Sequence, residues 1–320
     1  MRILYLVNSD RGDYRKLSRR LFFNIYRRIS IYCRIYTYGP GEHTVNGNTV
    51  SPLKYDEKIE FDDLVKEFKP DIVVALKYPL TYRWMKSHRT SSIPFILIEG
   101  DYFATPLRWY EDNKFDLIIQ RGYVHNEYTS IPNVWLPLSA DEKDFCIDPY
   151  SNYLDNRKQK VVFIGNVSNF LYYKIRRNIL GKLENNDLFE NLGVVGFEDY
   201  PNKLMSYIAG LSCSGSSLHA PIGKTFEIMA SGTALLTQWF HGWKVLFGNK
   251  KCYFTYKDDL SNLEDMVRYI LNNMDEVKEV TSNAVSVINA KHLNMHRVLE
   301  LYNIFKAIVS GKEIPRIWGR

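Results

Sequence analysis

The chain has 320 residues, of which 45% are hydrophobic and 24% charged, and it carries a net charge of +6. This is the composition of a folded globular protein with room for about two domains, and it excludes disordered, collagen-like and disulfide-scaffold chains. The positive charge is concentrated at one end. Residues 1–40 hold nine Arg or Lys (Arg2, Arg11, Arg15, Lys16, Arg19, Arg20, Arg27, Arg28, Arg34) against two acids, Asp10 and Asp13.

No apolar run reaches the roughly 18 to 20 residues of a membrane-crossing helix. The four cysteines (Cys33, Cys146, Cys213, Cys252) are scattered, with no CxxC pair, so neither a zinc site nor a disulfide framework is expected. Reduced thiols fit a cytoplasmic protein. The opening Met1–Val7 run is too short for a signal-peptide core and runs straight into Asn8-Ser9-Asp10-Arg11. It is expected to be a buried first strand.

The predicted elements alternate along the chain. Residues 2–8 read as a strand. Residues 14–30 place Leu17, Leu21, Phe22, Ile25 and Ile29 at helical spacing, with basic residues between them. Residues 31–37 alternate as a strand, and 61–68 read as a helix ended by Pro70. Asp71–Leu76, Phe95–Ile98, Leu117–Ile119 and Val134–Leu136 are apolar runs of buried strands. Residues 137–158 are polar and read as an interdomain linker.

A second set begins at Lys160–Gly165. Its strands are expected at Val194–Val195, near 210–217, at Ala234–Thr237 and at Cys252–Phe254. Its helices are expected near 170–184, 200–208, 224–231 and 259–273, and residues 275–309 are nearly all helical. Such alternation implies an α/β protein with parallel sheets covered by helices on both faces. Two such domains would make a cleft, and ligands bind beyond the carboxyl ends of parallel strands.

The most informative stretch is Gly223-Lys224-Thr225-Phe226-Glu227-Ile228-Met229-Ala230-Ser231-Gly232-Thr233-Ala234-Leu235-Leu236-Thr237. A loop of small residues (Ser214-Gly215-Ser216-Ser217, then Pro221) leads into a helix that begins with a cation and a hydroxyl. The helix start offers free amides and a positive dipole end to a phosphate, and Lys224 adds charge for a diphosphate. Glu227, one turn in, is suited to a ribose diol. The segment is not a phosphate-binding Walker loop. That motif needs a glycine five positions before Gly223, and Leu218 stands there.

Gly223–Thr237 resembles the donor-binding helix of GT-B glycosyltransferases in the glycosyltransferase family 4 superfamily. It is most similar to the CgeB-like, spore-maturation-type branch, whose pattern runs roughly G-x-R-x-F-E-A-x-A-x-G-x-x-L-L-T. The resemblance extends to Lys160–Asn166, to Tyr172-Tyr173-x-x-Arg176-Arg177, to the strand Ile93–Asp101, and to Phe115–Ile119 and Val134–Leu138. It implies two Rossmann-like domains facing across a cleft. The expected division is 1–145 on the acceptor side, 146–304 for the nucleotide sugar, and 305–320 returning to the first domain. The implied donor contacts are Gly165, Asn166, Arg176, Lys224, Thr225 and Glu227, with a UDP- or GDP-sugar as substrate and no separate cofactor.

The implied catalytic residues are Asp101, Glu99 and His219. An acid just beyond the strand 95–98 suits the proton of an acceptor hydroxyl, and the resemblance favours Asp101 over Glu99. Retaining family members commonly carry an acid eight residues before the ribose-binding Glu; here that position is His219. Ser9 with Gly12 would shape a loop near the reacting sugar. His125 reads as structural, and Trp239, Trp243 and Tyr102 fall in loops where an aromatic ring could stack on a sugar or base. Asp258-Asp259 reads as a helix N-cap, not as a metal-binding acid pair, so no metal is expected. The activity implied is a metal-independent, hexosyltransferase-like sugar transfer. The alternatives are a non-catalytic nucleotide- or sugar-binding protein and a nucleotide-sugar epimerase. The basic N-terminal helix suggests an anionic acceptor: nucleic acid with modified bases, a phosphorylated lipid or membrane surface to which the protein would be peripheral, or a cell-surface polymer.

Overall fold

The computed structural model describes the whole chain apart from residues 7–24, 26–27, 40–49, 53–55, 57–58, 77–91, 100–106, 123–129, 146, 148–153, 169–172, 197, 214–219 and 320. Several expected features lie outside the described residues: Ser9, Gly12, Arg15, Lys16, Arg19, Arg20, Arg27, Asp101, Tyr102, His125, Tyr172 and His219.

The chain divides into two units, Met1–Pro137 with Met295–Arg320, and Leu138–Asn294. The first unit holds a seven-stranded sheet: β1 (Arg2–Leu6), β2 (Arg34–Tyr38), β3 (Val50–Pro52), β4 (Ile72–Leu76), β5 (Phe95–Glu99), β6 (Leu117–Gln120) and β7 (Asn133–Trp135). Their order is β3-β2-β1-β4-β5-β6-β7, all parallel. The order reverses between β1 and β4, which is the switch point of a doubly wound sheet.

The apolar runs explain why these strands sit at the centre. A strand buried on both faces needs no polar alternation, and Ile3, Leu4, Tyr5 and Leu6 of β1 are all fully buried. Alternate residues feed two cores. Ile3, Ile72, Val74, Ile96 and Ile119 face one, where Val298, Leu301, Ile304 and Phe305 from the last helix pack. Leu4, Val73, Phe95 and Leu97 face the other, against Phe61, Leu64 and Val65. Those three lie on α1 (Phe61–Phe68), which has apolar residues one and two turns apart and Asp62 and Asp63 in its first turn. It ends at Lys69, which adopts the left-handed conformation (φ 45°) and is followed by Pro70. A short helix, α2 (Leu107–Asp112), precedes β6.

The second unit holds β8 (Lys158–Ile164), α3 (Lys174–Leu183), β9 (Phe189–Gly193), α4 (Tyr200–Met205), β10 (Tyr207–Ser212), α5 (Gly223–Ala230), β11 (Ala234–Gln238), α6 (Trp243–Phe247), β12 (Phe254–Tyr256), α7 (Leu263–Asn272) and α8 (Met274–Lys291). The last helix, α9 (Asn294–Val309), carries the chain back into the first unit. The five strands run parallel in the order β12-β11-β10-β8-β9. One face is filled from α3, α7 and α8, by Ile179, Leu183, Val267, Ile270 and Val277.

Three local expectations are corrected. Val194–Val195 is not a strand: the strand is Phe189–Gly193 at the sheet edge, and Val194 is 75% exposed just beyond it. Trp243 is not in a loop but starts α6. Asp258-Asp259 does not cap α7, whose N-cap is Asn262. Asp259 Oδ1 instead accepts from the Ser261 amide at 2.9 Å, closing a local turn.

Candidate functional site

The second unit assembles most of the expected donor residues around the carboxyl ends of β8 and β10 and the start of α5. Ile222 enters the helix in an extended conformation (φ −108°, ψ 168°). Its amide donates to Thr225 Oγ1 at 3.3 Å. Thr225 is buried and its hydroxyl serves the helix end. By accepting from the Ile222 amide it caps the start of the helix. The next residues, Phe226 to Ala230, are all buried, and Gly210 of β10 allows α5 to lie close. A Cβ there would stand 3.2 Å from Ile228.

The far end of α5 is fastened by hydrogen bonds. Arg157 donates to Thr233 Oγ1 at 2.8 Å and to the Ser231 carbonyl at 2.9 Å, and Ser231 Oγ donates to the Ile228 carbonyl at 2.7 Å. Gly232 takes a left-handed turn (φ 61°), which suits glycine at a helix end.

Lys224, on the first turn, reaches back to β8. Its ammonium donates to the Ile164 carbonyl and lies 5.0 Å from the centre of the Phe163 ring. Gly165 follows directly, and a Cβ at that position would stand 2.6 Å from Lys224 Nζ. The absence of a side chain at Gly165 therefore makes the space that the ammonium occupies. Arg176, on α3, donates to the Asn166 carbonyl at 3.1 Å and stacks on Tyr173 at 4.3 Å. Its Nε is buried without a hydrogen-bond partner. Asn166 is exposed, and its side chain accepts from the Ser168 amide at 2.7 Å.

Burial and the charge of Arg176 push the Lys224 ammonium below its ordinary pKa, against the pull of Glu227. Glu227 is 1% exposed. Burial pushes its carboxyl above the usual carboxylate range, and Asp144 adds to this, while Tyr200 and Lys224 act the other way. Tyr200 Oη donates to Glu227 Oε2 at 2.9 Å. Two cations and a buried acid thus share one strand edge with a helix start, an arrangement suited to an anionic group beside a hydroxyl-bearing one.

Sequence reasoning missed Tyr200, which stands at the start of α4 with no pattern to separate it from the other tyrosines among 23. It also missed Cys213, a buried thiol whose pKa burial raises despite hydrogen bonding and charge from Arg176. In the first unit, Glu99 ends β5 fully buried, and its Oε2 accepts from the Tyr110 hydroxyl at 2.6 Å. Trp239, after β11, is 45% exposed and lies edge-on to His241 at 4.7 Å. Among the described residues no cluster of His, Cys, Asp or Glu is arranged to hold a metal ion, and no helix is long and apolar enough to cross a membrane.

Two units built on parallel sheets, the second with buried Glu227 and the cation Lys224 on the helix after its central strand, have the architecture of the GT-B fold. Residues 159–303 match the family described as glycosyl transferase-like, so the second unit carries a glycosyltransferase-like domain. Among solved structures it is similar to a glycosyltransferase from Rickettsia africae ESF-5, at 12% identity and a TM-score of 0.67, over 97% of this chain and 99% of that one. It is also similar to Anabaena HepE in complex with UDP and glucose, at 12% identity and a TM-score of 0.65, over 95% and 99% of the two chains. A third is the DNA-modifying enzyme beta-glucosyltransferase, at 12% identity and a TM-score of 0.63, over 97% and 100%. At such identities these likenesses establish the fold. A sequence search among curated proteins gave no match.

Proposed function

We propose that the second unit binds a nucleoside-diphosphate sugar, with UDP as the leading nucleotide, and that the enzyme transfers the sugar to a hydroxyl without a metal ion. The observation that carries this reading is the grouping of Lys224, Arg176 and the start of α5 with buried Glu227. Lys224, Arg176 and the orphan amides of the helix start would hold the diphosphate and stabilise its charge as it leaves. Glu227 would accept hydrogen bonds from the ribose diol, and Gly165 would leave room for the ammonium. The likeness to HepE, solved with UDP and glucose, favours a UDP-hexose. The motif around Glu227 supports a place in the CgeB-like branch. Asp101 is the residue we assign to the acceptor proton, because Glu99 is buried with one oxygen on Tyr110. His219 would touch the sugar or phosphate from the loop before α5.

Calorimetry with UDP and uridine tests the donor assignment. Lys224→Ala should weaken UDP by about 1.5 kcal/mol or more, the scale of a charged hydrogen bond, and leave uridine almost unchanged. Gly165→Ala should act in the same direction, because its methyl group displaces the ammonium while the fold is kept. Equal losses for UDP and uridine in both variants would place the diphosphate elsewhere. Incubation with UDP-glucose should release UDP slowly; an unchanged sugar nucleotide would mean a binding protein, and a changed sugar still linked to UDP an epimerase.

For the acceptor we favour nucleic acid carrying hydroxylated bases. Its support is the concentration of basic residues in positions 1–40 and the likeness to a DNA-modifying glucosyltransferase. Binding of a duplex with hydroxymethylated bases should fall more than about tenfold between ~50 and ~200 mM salt. Charge reversal of Arg15, Arg19 and Arg20 should lower turnover on that duplex and spare donor hydrolysis. Turnover blocked by anionic vesicles and indifferent to duplex DNA would move the acceptor to a membrane surface.

A further inference from the structure

We infer that Tyr200 is a positioning residue for the donor: its hydroxyl fixes one oxygen of Glu227 so that the other is aimed at the ribose. The inference rests on the reading of Glu227 as the ribose-binding acid. Tyr200 Oη donates to Glu227 Oε2 at 2.9 Å, with both side chains buried. Glu227 Oε1 has no hydrogen-bond partner among the described residues.

The tyrosine is itself held on two sides. Its amide donates to the Gly196 carbonyl at 3.0 Å, and its ring meets Phe145 edge-on at 6.0 Å. Pro201 follows it and fixes the first turn of α4. The hydroxyl is thus delivered by the segment between β9 and β10 to a helix between β10 and β11.

A glutamate has three side-chain torsions, and ordering it costs conformational entropy. One donor on one oxygen removes that freedom before the ligand arrives. It also favours the ionised carboxylate, in a site where burial and Asp144 favour the protonated form. Lys224 is the other group that favours ionisation, and it is engaged with the Ile164 carbonyl. Tyr200 remains a phenol throughout the physiological range, because burial and the Glu227 charge raise its own pKa well above the ordinary value. The hydrogen bond to the ionised acid therefore runs from tyrosine to carboxylate.

The test is calorimetric titration of wild type, Tyr200→Phe and Glu227→Ala with UDP and with 2′,3′-dideoxy-UDP, from about pH 5.5 to about 8.5. Tyr200→Phe keeps the ring and its packing. It should weaken UDP by about tenfold near neutrality, and the loss should narrow as pH rises and Glu227 ionises unaided. For 2′,3′-dideoxy-UDP, which offers no diol, the variant and wild type should bind alike. If Glu227→Ala loses UDP affinity while Tyr200→Phe binds UDP as wild type does at every pH, the positioning role is overturned and the donor reading stands. Equal losses of UDP and the dideoxy probe in Tyr200→Phe would also overturn it, since the tyrosine would then serve only the packing. If Glu227→Ala binds UDP normally, the donor reading fails and this inference with it.

Discussion

Replacing Glu300 with alanine should lower the stability of the folded protein by about 3–5 kcal/mol, the scale for removing one partner of a buried ion pair. Glu300 is the anion of a buried cluster in the first unit. Arg297, with no exposed surface, donates to both of its oxygens at 2.8 and 2.7 Å and to the Pro137 carbonyl at 2.9 Å. Trp318 donates to Glu300 Oε2 at 3.2 Å and lies under the Arg297 guanidinium at 4.7 Å. A second buried cation stands nearby: burial and the Arg297 charge push Arg121 down to about 9, while Glu300 opposes the shift. Burial likewise pushes Arg297 down, and Glu300 again restores it.

Without Glu300 two guanidinium groups are left in a site that has lost its counter-charge. A base whose folded pKa lies below its unfolded value costs stability wherever the folded form is still protonated. That covers the whole range in which the protein would be handled, so no mild change of pH rescues the variant. Urea unfolding at neutral pH measures the effect. A loss below about 1 kcal/mol, the size of a surface pair, would show that Arg297 and Arg121 are satisfied by other groups.

Glu227→Ala should weaken UDP binding by about 1.5–3 kcal/mol, since it removes the charged acceptor proposed for the ribose. The same acid should have the opposite effect on the unliganded fold. Its folded pKa is raised, first by burial, so the folded state holds the proton more tightly than the unfolded chain does. The stability that the protonated acid contributes is fully present below the ordinary carboxylate value. It is lost as pH rises through the raised one. Glu227→Gln, which carries no proton to lose, should melt closer to wild type at acid pH and above it near neutrality. Thermal melts across that range decide the matter. A melting difference that stays constant with pH would mean that Lys224 and Tyr200 fully compensate the buried charge.

The strands at the centre of each sheet were legible because burial on both faces leaves a continuous apolar run, as in Ile72–Leu76 and Phe95–Ile98. The edge of the second sheet was not. Phe189–Gly193 reads Phe-Glu-Asn-Leu-Gly, since a half-exposed edge strand tolerates polar residues, while the neighbouring valines carry the β-branched signal without the pairing. Short helices such as Trp243–Phe247 were missed because five residues show no period. Helix α5 was legible as a local run, with its cation, acid and small-residue end in one stretch. The partners of that run were harder. Tyr200 and Arg157 reach α5 through tertiary contacts, and Arg121 meets Arg297 and Glu300 from a distant part of the chain. Nothing local marks a side chain whose partner is far along the sequence.

The return of the chain into the first unit has a consequence for synthesis. The seven-stranded sheet is complete in sequence by Trp135, yet one of its two cores waits for Val298, Leu301, Ile304 and Phe305. Those residues follow the whole second unit off the ribosome. At translation rates of about 5–20 residues per second, the gap is on the order of ten to thirty seconds. Throughout it, Ile3, Ile72, Val74 and Ile96 have no helix α9 to cover them. The half of the protein that is made first is therefore finished last, and a nascent chain halted before residue 298 would present an uncovered apolar sheet face to the chaperones of the cell.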